Sequence, residues 1–183
     1  MCLKKRVMLR LILGLSLFLV GVFLFWFLRA AVYFDPDREV SIEENVYYPV
    51  VYVVDGDTFK TRVAGKTITV RLLGVNTPET VDPRRNVECY GPEASQAVKG
   101  LISGQKVLMK LNPQRERRDK YGRYLAYVYL ENGLFLNEYV LQEGLAREYT
   151  YGRPYTFQAE FRAIEAEAQA GQKGLWGSCK ESK

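Results

Sequence analysis

Residues 46–80 read VYYPVVYVVDGDTFKTRVAGKTITVRLLGVNTPET, and the fold is decided here. Val46 to Val54 is rich in Val and Tyr and stops at Asp55-Gly56-Asp57, a turn signal. Thr58 to Val63 follows as a short strand, and Ala64-Gly65-Lys66 turns it back. Thr67 to Val75 then alternates, with Ile68, Val70 and Leu72 on one face and Thr69, Arg71 and Leu73 on the other.

Downstream, Asn76-Thr77-Pro78-Glu79-Thr80 leads into a loop containing Pro83. Pro92-Glu93 opens a helix predicted to run to about Ser103, with Ala94, Ala97, Val98 and Leu101 spaced for one buried face. Lys106 to Leu111 reads as a strand, Pro113 to Gly122 as a charged loop, and Arg123 to Leu130 as another strand. Phe135 to Glu143 is a short helix closed by Gly144, and Phe157 to Ala170 a longer one closed by Gly171. Three strands, a helix, two strands and then helices are compatible with a small Greek-key barrel of the OB type. Pattern alone supports the α+β class.

Upstream, Leu11 to Leu28 carries no charge and is almost wholly apolar. Its length is roughly 27 Å as a helix, close to a bilayer core of about 30 Å. Lys4, Lys5, Arg6 and Arg10 precede it and only Arg29 follows closely, so the positive-inside rule predicts a cytoplasmic amino end and an exported remainder. Residues 1–34 are read as this anchor, 35–46 as a linker, 47–178 as the folded domain and 179–183 as a tail. The competing reading is a cleaved signal peptide and a secreted protein, although the apolar run is long for one and lacks a clean cleavage site. Export would expose Cys89 and Cys179 to an oxidising compartment, where a pair tends to close into a disulfide; two unrelated thiols are the alternative.

Composition removes whole classes of chemistry. The chain of 183 residues is 48% apolar and 26% charged, a globular balance for one domain with a core. Its formal charge is +5, but five bases stand in the first 34 residues, which hold no acid, and the rest is near neutral. Any attraction to phosphate must come from local clusters. Histidine is absent. This excludes Ser-His-Asp and Cys-His catalysis, His-ligated zinc and a His base. The general base must then be a carboxylate, or less often Lys or Tyr, and a metal must sit mainly among oxygens.

Four polar patches interrupt the pattern: Asp55-Gly56-Asp57-Thr58, Arg71, Asn76-Thr77-Pro78-Glu79-Thr80, and Asp119-Lys120-Tyr121-Gly122-Arg123. Each alone has an ordinary reading as a hairpin, a solvated strand residue, a helix start or a solvated loop. An EF-hand is excluded because Lys60 and Lys66 stand where that loop needs oxygens. Taken in order and spacing, together with Gly144-Leu145-Ala146-Arg147 and Gly174-Leu175-Trp176, they resemble the staphylococcal nuclease family over about Tyr47 to Trp176.

The resemblance implies a five-stranded OB barrel with three helices and a calcium-dependent phosphodiesterase acting on single-stranded DNA or RNA. It implies that Asp57, the backbone carbonyl of Thr77 and Asn76 ligate Ca²⁺, with Asp55 supporting them. Asn76 departs from the family, which often has a carboxylate there, so weaker calcium affinity is expected. Glu79 would orient or deprotonate the attacking water, and Arg71 and Arg123 would hold the scissile phosphate. Lys120, Tyr121 and Tyr149 would line the nucleotide site. A monomer is expected, with its catalytic domain outside the cytoplasm. The rival expectation is a catalytically inactive nucleic-acid-binding OB module at the cell surface.

Overall fold

The structure, a computed structural model, describes residues 2–33, 40–80, 83, 86–113 and 116–179, with side chains of the first helix described from 14 to 29. The chain divides into two units, Met1–Glu39 and Val40–Lys183.

The first unit holds α1, Cys2–Tyr33. From 14 to 29 every side chain is exposed, Leu15, Phe18, Phe23, Trp26 and Leu28 among them. Among the described residues no helix is long and apolar enough to cross a membrane, so the expected span has no support here.

In the second unit, β1 (Tyr47–Val53), β2 (Thr58–Val63), β3 (Lys66–Leu72), β5 (Lys106–Leu111) and β6 (Tyr124–Leu130) close a barrel in the order β1-β2-β3-β6-β5. All neighbours are antiparallel except β3 and β6, which run parallel with Arg71 opposite Leu125. In β2 the two-residue period buries Phe59, Thr61 and Val63 while Lys60 and Arg62 face out. Phe59, Val70, Leu72, Val107, Met109, Tyr124, Ala126 and Val128 are at most 2% exposed and make up much of the core. The mixed α+β barrel agrees with the expected OB architecture.

Helix α2 (Gly91–Ile102) buries Gly91, Ala94, Val98 and Ile102, so the buried stripe ends on Ile102 while Ala97 and Leu101 stay partly exposed. Helices α3 (Leu136–Gln142) and α4 (Gln158–Ala170) pack through Phe135, Phe157 and Phe161, of which Phe135 and Phe157 meet the Tyr127 ring edge-on. A further short helix, α5 (Leu175–Ser178), was not expected. Cys89 and Cys179 are joined by a disulfide that links the turn before α2 to the residue after α5. Of the expected linker, residues 35–39 lie outside the described residues. The part from Val40 onward rests on the barrel: Val40 is buried, its carbonyl accepts a bond from the Tyr124 hydroxyl at 3.1 Å, and Glu43 N donates to the Tyr48 hydroxyl at 2.9 Å.

One correction bears on the site. The expected strand from Thr67 to Val75 breaks after Leu72, and Leu73, expected beside Thr69 and Arg71, turns inward to 5% exposure. The cause is Gly74, whose φ of +82° is open mainly to glycine. A Cβ there would lie 2.6 Å from the Tyr155 ring, so even the space is closed. The chain then resumes as β4 (Val75–Asn76), paired with β7 (Arg147–Glu148). The exit is pinned from α3: Asn137, fully buried, donates to the carbonyls of Leu73 and Ala126 at 2.9 and 3.2 Å and accepts from Val128 N at 2.9 Å.

Candidate active site

The turn between β1 and β2 places Asp57 at the mouth of the barrel, where it is 3% exposed. A buried carboxylate must be met by donors. Asp57 Oδ1 accepts from Thr58 Oγ1 at 2.8 Å and from Arg71 at 2.6 Å, and Oδ2 accepts from Thr77 N at 3.1 Å. Gly56 makes this approach possible, since a Cβ there would sit 2.7 Å from the Thr77 methyl. Arg71 lies opposite Thr58 in the β2–β3 register, which aims its side chain at the same turn.

The second arm of the Arg71 guanidinium reaches Asn76 Oδ1 at 2.7 Å. Asn76 is delivered by β4, the strand that the Gly74 break creates. The structure therefore brings Asp57, Arg71, Asn76 and Thr77 into one hydrogen-bonded group. Asp55 joins it through its Oδ1, which accepts from Asp57 N at 3.1 Å. Burial, and then the negative charge of Asp57, push the Asp55 carboxyl up to about 7. The pocket thus holds two carboxylates against one guanidinium and stabilises a proton on the second.

That imbalance is a test of the expected metal. Among the described residues no three His, Cys, Asp or Glu side chains form a metal-holding group. The pocket offers the Asp57 and Asp55 carboxyl groups, the Asn76 amide oxygen and the Thr77 backbone, all oxygen donors of the kind a hard cation takes. The residues fit the oxygen chemistry of Ca²⁺.

Glu79 lies two residues beyond Thr77, in the segment leading to α2. Its Oε1 accepts from Thr80 N at 2.9 Å, and its own N donates to Glu88 Oε2 at 3.1 Å. Arg123 stands just before β6, two residues ahead of the Leu125 that faces Arg71. Both its Nε and its terminal nitrogen bond Asp119 Oδ2, at 2.7 and 2.6 Å. Asp119 Oδ1 also accepts from Tyr121 N and Arg123 N, so one carboxylate organises the whole turn.

Lys120, Tyr121 and Tyr149 share a face. The Lys120 ammonium lies 5.0 Å from the centre of the exposed Tyr121 ring, and the Arg123 guanidinium 5.2 Å from it. A bond to Tyr121, and then the phenols of Tyr121, Tyr151 and Tyr149, hold the Lys120 pKa above its ordinary value. Tyr149 is held by its N, which donates to Gly74 O at 3.0 Å, and its half-exposed ring stacks on Tyr151 with centroids 6.5 Å apart.

Two positions escaped the sequence reading. Asp119 has a visible signal, an acid four residues before an arginine with Gly122 between, but it reads equally as a solvated turn. Glu88 has only its place beside Cys89.

The sequence profile described as "Staphylococcal nuclease homologue" matches residues 69–178. That span takes in Arg71, Asn76, Thr77, Glu79, Lys120, Tyr121, Arg123 and Tyr149 and begins after Asp57. A protein named Thermonuclease from Staphylococcus hyicus is 40% identical over 131 residues, which is 72% of this chain and 76% of that protein. The Thermonuclease of Staphylococcus intermedius is 41% identical over 129 residues, 70% of this chain and 75% of that one. Endonuclease YncB of Bacillus subtilis (strain 168) is 43% identical over 124 residues, 67% of this chain but only 58% of its own length.

Proposed function

The chain belongs to the staphylococcal nuclease family, and from that premise we propose that it is a calcium-dependent phosphodiesterase cutting DNA or RNA with little base selectivity. The observation that carries the reading is the bonded group of Asp57, Arg71, Asn76 and Thr77. It offers oxygen donors and a guanidinium at one point of the barrel mouth.

Asp57, Asn76 Oδ1 and the Thr77 backbone would hold the calcium ion, with Asp55 behind them; when bound it supplies positive charge to a phosphoryl oxygen and to the attacking water. Glu79 accepts the proton of that water, since a carboxylate is the base available to a chain without histidine. Arg71 carries five N–H donors, and its bonds to Asp57, Asn76 and the Val75 carbonyl use three, so its fork can serve a phosphate while the pocket orients it. Arg123, steadied by Asp119, takes charge on another oxygen of the same phosphate. Lys120, Tyr121 and Tyr149 would receive the adjoining nucleotide by charge and ring stacking. Recognition through the phosphate backbone carries no sequence information, which accounts for low base selectivity. A monomer is part of the proposal.

Membrane attachment through 11–28 is part of the proposal, with the barrel outside the cytoplasm. It is supported by the uncharged run flanked by bases and by the exposed apolar side chains between 14 and 29, a surface that soluble proteins seldom present. Fractionation of cells, with protease added to intact cells, tests it. A chain found in the soluble fraction after processing indicates a cleaved signal instead.

The activity is tested by incubating the full-length chain, in mild detergent, with single-stranded DNA and with RNA, in calcium and in chelator. Cleavage in calcium that stops in chelator is expected. Binding without cleavage under every metal condition would establish the inactive binding module instead.

A further inference from the structure

The segment carrying Glu79 is tied to the start of α2 by bonds in both directions. Glu79 N donates to Glu88 Oε2 at 3.1 Å, and Glu88 N donates back to the Glu79 carbonyl at 2.9 Å. Gly91, the first residue of α2, donates to the Glu88 carbonyl at 3.1 Å. It also packs so closely that a Cβ would lie 2.7 Å from the Thr80 methyl and 3.1 Å from the Glu79 carbonyl.

Between Glu88 and Gly91 stand Cys89, bonded to Cys179, and Tyr90, whose φ of 67° is uncommon for a residue with a side chain. A conformation of this kind persists only where its surroundings impose it. The disulfide supplies one such constraint. It fixes Cys89 to the residue following α5, whose helix is seated by the buried Leu175 and by Leu175 N donating to Gly144 O at 2.9 Å.

We propose that Glu88 and the Cys89–Cys179 bridge form a positioning clamp for Glu79, so that reduction of the bridge lowers the rate of hydrolysis. The inference rests on the nuclease reading above, in which Glu79 is the base. Glu88 acts through Glu79 and is a positioning residue. In the reduction, a dithiol delivers two electrons and two protons to the Cys89–Cys179 bond. Two cysteine thiols form and the reagent becomes its own disulfide. Released from α5, the turn at 88–90 relaxes, and with it the two bonds that fix the backbone of Glu79. A displacement of about 1 Å at a reacting group can cost on the order of a hundredfold in rate.

The test uses the full-length chain, air-oxidised or treated with dithiol, with the thiol count set by mass analysis and calcium present throughout. Reduction is expected to lower kcat on single-stranded DNA by about ten- to a hundredfold while KM stays within about twofold. The Cys89→Ser/Cys179→Ser variant should match the reduced chain. Glu88→Ala should lose a similar factor and respond no further to dithiol, and Glu88→Gln, which keeps an acceptor for Glu79 N, should recover most of it. The residual rate of Glu79→Gln should be indifferent to reduction. A residual rate that falls as much as the parent rate would mean general loosening and would overturn the clamp.

Amide exchange gives a readout independent of activity. Glu79 N–H and Glu88 N–H should exchange faster on reduction, while Val128 N–H, bonded to Asn137, should stay protected. Loss of protection at all three would be unfolding and would overturn a local device. An active chain indifferent to reduction overturns the clamp alone. An oxidised chain that cleaves nothing in calcium overturns the nuclease reading and the clamp with it.

Discussion

The guanidinium of Arg71 lies 2.6 Å from the carboxylate of Asp57, an ion pair in which the side chains are 15% and 3% exposed. The proposed phosphate-binding residue is thereby coupled to a proposed metal ligand, so neither can be altered alone. Removing one partner of a buried pair typically costs about 3–5 kcal/mol, which would confuse loss of activity with loss of fold. Arg71→Lys is the sharper variant. It keeps a positive charge near Asp57 but gives up the planar fork that also holds Asn76. kcat is expected to fall by about 10²–10³, with the chain still folded by circular dichroism at the assay temperature. A lysine variant with the parent rate would show that the fork has no part in the transition state.

Asn76 makes the pocket one charge poorer than a carboxylate would. Asn76→Asp is expected to lower the calcium concentration for half-maximal cleavage by about tenfold, and the titration measures it directly. An unchanged midpoint would show that this side chain is not a ligand.

Gly56 is held against Thr77 with no room for a methyl group. Gly56→Ala is expected to push the Asp57 turn away from Thr77, raising the calcium midpoint more than it lowers the melting temperature. A variant with the parent calcium midpoint would mean that this contact does not set the site.

Asp119 gives a pH-dependent expectation. Burial pulls its pKa upward, but the bonds and charge of Arg123, with the Tyr121 N–H, outweigh this and hold the carboxyl below its ordinary value. A depressed folded pKa contributes stability above the unfolded value of about 3.9, and that contribution is lost as pH falls through the folded value. Asp119→Asn should therefore be less stable than the parent near neutrality, with the gap closing below about pH 4. The same variant frees Arg123 and should lower kcat. Urea melts at several pH values measure the first effect, and a gap independent of pH would contradict the assigned cause.

Much of the barrel was legible because its strands are half-buried and alternate with a clean period of two. Phe59, Thr61 and Val63 announce themselves against Lys60 and Arg62. The failure at Leu73 has a tertiary cause. Alternation continues on paper through Val75, but the conformation Gly74 adopts is imposed by Tyr155, 81 residues away. No local pattern reports that contact. The helix stripe was read in part: Ala94 and Val98 are buried as expected, and the face continues at Gly91 and Ile102 rather than at Ala97 and Leu101.

The candidate site was legible as motifs, while its supports were not. Asp57, Arg71, Asn76 and Thr77 stand in the polar motifs of the sequence, and the fold brings them into hydrogen-bonding contact. Glu88 and Asn137 hold the site from a distance, through backbone groups whose partners depend on tertiary approach. An isolated Glu or Asn in a sequence has no feature that distinguishes such a task.

The most direct test of the central claim, that one pocket gathers a hard cation and a carboxylate base around a phosphodiester, is calcium-dependent cleavage by Glu79→Gln. The substitution keeps size and polarity and removes the proton acceptor. At saturating calcium and single-stranded DNA, kcat should fall by at least about 10² while the KM and the calcium midpoint hold. A Glu79→Gln chain cutting at the parent rate would contradict the assignment of the base and the mechanism built on it.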